Sequence, residues 1–299
     1  MPELTCPVCG GVLHREERSL RCGAGHCYDI ARQGYVNLLR SNQSKSKRHG
    51  DDKRMVAART AFLDAGYYAP LRDAVAAAAA EFTAGDADVL DAGCGTGYGA
   101  GLLRQRWPQA EITGVDFAPA MLGQARAQLS TGAAGDIEHL PFADARFELW
   151  WSSLTIQWCD AARVFAEAHR VLRPGGRLAL STLATETFHE LRSAFSGIDA
   201  HRHTLPFSDP EAIGAALAGA GFLDIELVRE RHLVHYPELK TLLRAVKAIG
   251  AQNVGEGGRS GMLGKDAWTR VQAAYEAYRT PAGLPASYDV LLYTARRPG

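Results

Sequence analysis

Long hydrophobic runs are missing from this chain. None of its 299 residues lies in an uninterrupted apolar stretch approaching the roughly 18 residues of a membrane-spanning helix. The start, Met1-Pro-Glu-Leu-Thr-Cys6, has neither the basic opening nor the apolar stretch of a signal peptide, so a cytoplasmic location without membrane association is expected. Cysteine is sparse, six residues in all, and in that compartment the six do not argue for disulfides. No charge of one sign prevails: 33 Lys and Arg balance 33 Asp and Glu. The balance is uneven, however. Residues 1–60 hold eleven Lys or Arg against six Asp or Glu, leaving an acidic remainder. Such a basic head suits nucleic acid or another acidic partner, or is simply a solvated surface.

Four of the six cysteines fall within the first 27 residues. Cys6-Pro-Val-Cys9 is a C-x₂-C knuckle, and Cys22-x₃-His26 follows it. Two thiolates three positions apart hold one face of a tetrahedral zinc, and a second pair closes the site. The expected set is Cys6, Cys9, Cys22 and His26, with Cys27 the substitute if His26 points away. Four protein ligands leave no open position, so the metal is structural. A segment this short buries little core, and a metal would supply its folding energy. A redox C-x-x-C is the competing reading, but the thioredoxin-like βαβ context is missing. Residues 1–40 thus read as a zinc-binding module, and 41–53, Ser-Asn-Gln-Ser-Lys-Ser-Lys-Arg-His-Gly-Asp-Asp-Lys, as a polar, basic linker.

From residue 54 the pattern changes. Helices are expected at 54–65 and 68–82, the second very Ala-rich. Strands are expected near 88–92, 111–116, 132–136, 147–152 and 176–182, alternating with helices near 98–106, 118–128, 160–172 and 186–197. This alternation implies a parallel sheet with helices on both faces. Two further strand-like runs, 222–228 and 288–293, complete seven strands. Between them lies an insertion, 231–286, with helices near 237–249 and 264–279, which reads as a lid.

The richest signal is Val89-Leu-Asp-Ala-Gly-Cys-Gly-Thr-Gly97, with Asp116 closing the next apolar run. A strand ending at Asp91, a glycine turn and a helix from Tyr98 bring backbone close to a ligand, and an acidic residue about 20 positions on suits a ribose diol. With an acidic residue before the glycines and another after the second strand, this resembles the nucleoside site of class I S-adenosylmethionine-dependent methyltransferases. A dinucleotide-binding Rossmann domain is the competing reading, without its pyrophosphate fingerprint. The resemblance implies an α/β, Rossmann-like fold over 54–299. It places Tyr67, Asp91, Gly93, Gly95, Gly97, Asp116, Phe117, Met121, Asp136, Ile137 and Ser152 around S-adenosylmethionine. Asp116 would hold the ribose, Asp136-Ile137 the adenine, and Gly93 and Gly95 would pass under the methionine moiety. Cys94 reads as a packed small residue.

Two narrower resemblances meet in this chain. Cys6-Pro-Val-Cys9-Gly-Gly, Cys22-x₃-His26, Gly34-Tyr-Val-Asn-Leu-Leu39 and Phe62-Leu-Asp-Ala-Gly-Tyr-Tyr68 resemble the zinc-binding head of bacterial 23S rRNA guanine-N1 methyltransferases. Ser152-Ser-Leu-Thr-Ile-Gln-Trp-Cys159, Arg170-Val-Leu-Arg-Pro-Gly-Gly176 and Gly283-Leu-Pro-Ala-Ser-Tyr288 resemble the malonyl-acyl carrier protein O-methyltransferases of biotin synthesis. Ser153 departs from that family's usual Asn. The family's N-terminal helix, with its tyrosine over the cofactor, is replaced, and Tyr67 or Tyr68 would do that work.

The body's resemblance implies methylation of the free carboxylate of malonyl-acyl carrier protein, masking its charge on the way to pimelate. The head's implies methylation of 23S rRNA, with the rRNA as partner. A binding module with mismatched, unproductive halves is a third reading. A carboxylate is already anionic at pH 7 and needs no general base, whereas guanine N1 must first lose a proton. After the fourth strand stand Ser152, Ser153, Gln157 and Trp158, none of them a good base, which favours the carboxylate; Asp160 or a lid histidine would be the way back to a base. Gln157, Trp158, Arg202 and His203 are the substrate-orienting candidates, and at least one of Trp150, Trp151 and Trp158 is expected in the core.

Overall fold

In the computed structural model, residues 3–40, 53–81, 83–198, 203–205, 207–248 and 263–299 are described. Arg202 and most of the linker lie outside the described residues, as does the middle of the insertion.

The chain opens with three short strands, β1 (Leu13–Glu16), β2 (Ser19–Cys22) and β3 (Cys27–Asp29), forming an antiparallel sheet. β4 (Tyr35–Asn37) then leaves this unit. Helices α1 (Lys53–Asp64) and α2 (Ala69–Ala80) follow; the Ala-rich α2 turns Leu71, Val75, Ala76 and Ala79 to the core. The parallel core comprises β5 (Asp88–Ala92), β6 (Glu111–Asp116), β7 (Thr131–Ala134), β8 (Phe147–Ser153) and β9 (Leu172–Leu183). Its helices are α3 (Tyr98–Arg106), α4 (Pro119–Ala125), α5 (Ala161–Val171) and α6 (His189–Phe195). Then come α7 (Pro210–Gly219), β10 (Leu223–Tyr236), α8 (Leu239–Ala248), α9 (Lys265–Glu276) and β11 (Leu284–Arg296).

The strand order is β10-β11-β9-β8-β5-β6-β7-β4. The sheet runs parallel from β4 to β9, and β11 and β10 add antiparallel at the other edge. The central strands are buried on both faces, as a sheet sandwiched by helices requires; all of Thr131–Ala134 is buried. Helix starts follow side-chain chemistry. Asp160 caps α5 by accepting from the amides of Ala162 and Arg163, and Asp209 caps α7 ahead of Pro210.

Three expectations need correction. The main sheet has eight strands rather than seven, because the head contributes β4, which pairs in parallel with β7 from Tyr35↔Gly132 to Asn37↔Ala134. β10 continues in register to Tyr236, opposite Leu284, so the segment standing outside the ladder is shorter than 231–286. The fifth strand, expected over 176–182, begins already at Leu172, with Pro174-Gly175-Gly176 bulging out of it: Phe147 pairs with Leu172 but Leu149 with Arg177.

The head shares one core with the body. Leu4, Leu13, Leu20, Val36 and Leu38 are buried in the same apolar cluster as Phe142, Phe147 and Trp150. The Thr5 amide donates to Pro141 O at 2.9 Å and the Leu38 amide to Ala134 O at 2.8 Å.

Candidate functional site

The parallel strands end at one crevice, a cavity of about 690 Å³. Its floor is the β5–α3 turn. Gly93, Gly95 and Gly97 all have positive φ (80°, 52° and 83°), but their missing Cβ atoms serve different neighbours. A Cβ on Gly93 would run into the Thr155 side chain, and one on Gly97 would sit 2.8 Å from Ala125 Cα in α4. Only the Cβ direction of Gly95 is open. Gly93 and Gly95 therefore line the cavity, while Gly97 serves helix packing and stands outside its wall.

Asp116, at the end of β6, accepts from the Gly95 amide through Oδ2 and from the Ala118 amide through Oδ1, both at 2.8 Å. This ties the glycine turn to the next strand. Asp91 is only 2% exposed, and its Oδ2 has no hydrogen-bond partner. Burial, helped by the charge of Asp116, pushes its carboxyl up to about 7. Cys94 is buried, and burial together with Asp91 and Asp116 drives its thiol well up, which fits a packing role.

Phe117 lines the cavity just after β6, and Asp136 and Ile137 just after β7; Asp136 Oδ1 accepts from the Glu138 amide at 2.9 Å. Beyond β8, Gln157 and Trp158 line it too. Gln157 is held at both ends, donating to Leu154 O at 3.0 Å and accepting from Thr182 Oγ1 at 3.3 Å.

Several expected residues fall elsewhere. Ser152 is buried and donates to Ala92 O at 2.7 Å; its neighbour Ser153 faces the cavity instead. Met121 is packed with Val56 and Ala118. Tyr67 stacks between Phe62 and Tyr236, and Tyr68 takes the place at the cavity wall. His203 stacks on Phe195 with ring centroids 3.6 Å apart, away from the wall. Trp150 and Trp151 are both buried in the core, and Trp151 and Trp158 also line the cavity. Asp160 is committed to its cap, and no histidine among the described residues lines the cavity.

Sequence reading missed the opposite wall. Arg59 and Leu63 from α1, Arg72 from α2, and Leu205 and Phe207 after α6 all reach the cavity. The Arg72 guanidinium lies 4.4 Å from the Tyr98 ring centroid. No local pattern announced it: neither helix is strongly amphipathic, and packing decides which of their residues reach the cavity.

In the head, Cys6, Cys9, Cys22 and His26 bring their ligand atoms within 4.8 Å of one another. Cys9 and Cys22 sulfurs are 3.6 Å apart, and His26 Nδ1 lies 3.5 Å from Cys6 Sγ and 3.3 Å from Cys22 Sγ. A tetrahedral site with zinc–sulfur bonds of about 2.3 Å has sulfur–sulfur edges of about 3.8 Å, so the cluster fits zinc. Cys27 is exposed and outside it. Burial opposes ionisation of Cys6, but hydrogen bonds from Tyr28 and the Cys9 and Val8 backbone outweigh it and bring the thiol down to about 6.

These features define a class I methyltransferase fold with a zinc-ribbon head. A family model described as "Methyltransferase domain" matches residues 90–180, and one described as "RlmA, N-terminal", a zinc ribbon, matches residues 4–47. A malonyl-acyl-carrier-protein O-methyltransferase from Dechloromonas aromatica is 49% identical over 70% of this chain and 79% of its own. One from Herminiimonas arsenicoxydans is 43% identical over 70% of this chain and 81% of its own. The chain belongs to the malonyl-acyl-carrier-protein O-methyltransferase family. Among solved structures, a candidate methyltransferase from Bacillus halodurans, 17% identical, covers 75% of this chain and 99% of its own at TM-score 0.51, a likeness of fold alone.

Proposed function

We infer that this protein methylates the free carboxylate of a malonyl thioester carried on acyl carrier protein, using S-adenosylmethionine, in early biotin synthesis. The observation that carries the reading is family membership, at 49% identity over 70% of this chain.

The cavity fits the cofactor. The orphaned Asp91 oxygen is a carboxylate site awaiting a cation, Gly95 leaves open space beside it, and Asp116 is an acidic residue at the end of the second parallel strand. S-adenosylmethionine supplies an electrophilic methyl group on a sulfonium. Asp91 would face its positively charged methionine end, Asp116 the ribose diol, and Asp136 with Ile137 the adenine. Tyr68, one of the two tyrosines expected to do so, would close the methionine end.

The remaining wall does the work of a substrate pocket. Leu63, Leu71, Leu183, Leu205 and Phe207 exclude water, while Trp158 and the doubly anchored Gln157 orient the acceptor. A carboxylate acceptor gives up no proton, so its methylation asks for no general base in the cavity. Glu138 does line it, but its carboxylate accepts from the Asp160 amide at 2.9 Å and lies 3.9 Å from Arg163.

The test is methyl transfer from labelled S-adenosylmethionine to malonyl-acyl carrier protein and unmodified 23S rRNA in parallel. Label on the thioester is expected. Label on the RNA alone would hand the function to the head and overturn this reading.

A further inference from the structure

We propose that the exposed face of α8 is the docking surface for the acidic carrier protein, resting on the malonyl-carrier reading above. α8 is amphipathic. Leu239, Leu242, Ala245 and Val246 are buried, whereas Lys240, Arg244 and Lys247 are exposed. Their spacing of four and three residues puts the three cations on one face.

No carboxylate pairs with any of the three among the described residues, on a molecule whose net charge is zero. On α5, by contrast, Arg170 pairs with Glu167 three residues before it. A ridge left unneutralised presents a local field suited to an anionic partner.

The ridge leads into the active cavity. Lys247 is exposed and also lines the cavity, so it stands at the rim, and α1, on which α8 packs, brings Met55 and Arg59 to the same wall. A carrier protein presents its thioester on a phosphopantetheine arm that begins at a phosphodiester. With the carrier's acidic surface on Lys240 and Arg244, the phosphodiester meets Lys247 and the arm continues inward past Leu63 and Phe207. An RNA backbone is also anionic, but one short ridge beside a deep, largely apolar cavity suits a partner that inserts a slender arm.

The experiment measures binding of malonyl-acyl carrier protein to the full-length protein by fluorescence anisotropy, for the wild type, the K240E/R244E and K240A/R244A variants, and an R18E control in the head. Both substituted positions on α8 are exposed and outside the cavity wall. Carrier affinity is expected to fall about tenfold or more in K240E/R244E and less in K240A/R244A, with an effect that shrinks as salt is raised. Cofactor affinity, melting temperature and methylation of carrier-free malonyl-coenzyme A should stay within twofold, or unchanged, and R18E should bind carrier as the wild type does. Unchanged carrier affinity in K240E/R244E, no carrier binding by the wild type, or loss of affinity for a 23S rRNA fragment instead would overturn the proposal. Failure of the functional reading shows separately, as no label on malonyl-acyl carrier protein despite carrier binding.

Discussion

Asp91 joins burial to an unpaired oxygen in a cavity wall, and that pairing has a pH signature. With its pKa raised to about 7, the folded protein holds a proton that the unfolded chain releases near pH 3.9. Stability of the ligand-free protein therefore falls as pH rises through that window, because the native state binds more protons there. A cationic ligand prefers the carboxylate, so affinity for S-adenosylmethionine should climb by up to about tenfold per pH unit below 7 and level off above it. Asp91→Asn should remove that slope and weaken binding, as titration calorimetry at pH 6, 7 and 8 would read; an unchanged slope would show that Asp91 does not face the cation. Gly97 makes a different prediction. Its φ of 83° and the nearness of Ala125 Cα mean that Gly97→Ala should cost about 2 kcal/mol in chemical denaturation, with cofactor affinity reduced only through misplacement of α3.

At the scale of elements, the zinc cluster and β4 act together. Turns at Cys6–Gly11 and Cys22–His26 fix the ligands, and the strand that follows them pairs with β7, which runs into Gly135 and Asp136 at the cavity. The metal site is thus mechanically close to the Asp136 end of the cavity. Removing zinc with a strong chelator should lower the melting temperature by about 5 °C or more and weaken cofactor binding, both restored by zinc. If cofactor affinity survives metal removal, the head is an appendage to the pocket and not part of its frame. Cys9→Ser, at an exposed ligand position, should act in the same direction.

Across the whole molecule, head and body form one apolar core, with Leu4, Val36 and Leu38 buried alongside Phe142 and Phe147. Deleting residues 1–40 would expose the outer edge of β7, where Thr131–Ala134 are buried, and strip part of that core. The truncated protein is expected to aggregate or to melt many degrees lower, since an uncovered apolar strand edge invites pairing with other chains. A truncated form with the melting temperature of the full chain would show that head and body fold independently. No helix among the described residues is long and apolar enough to cross a membrane.

What the sequence determined by itself was local and periodic. The strand–glycine–helix run with its two aspartates, the alternation of strands and helices, and the Cys-x₂-Cys and Cys-x₃-His spacings each declare themselves within about 25 residues, because turn geometry and side-chain period are short-range properties. Tertiary structure alone decided which neighbour faces the cavity: Tyr68 and not Tyr67, Ser153 and not Ser152. One position along a chain turns a side chain to another face, and only packing against the rest of the sheet settles which face is inside. It also decided that β4 belongs to the catalytic sheet. Three residues carry too little pattern to announce a parallel partner nearly a hundred positions away, and the pairing exists because β7 would otherwise leave a buried edge without hydrogen bonds.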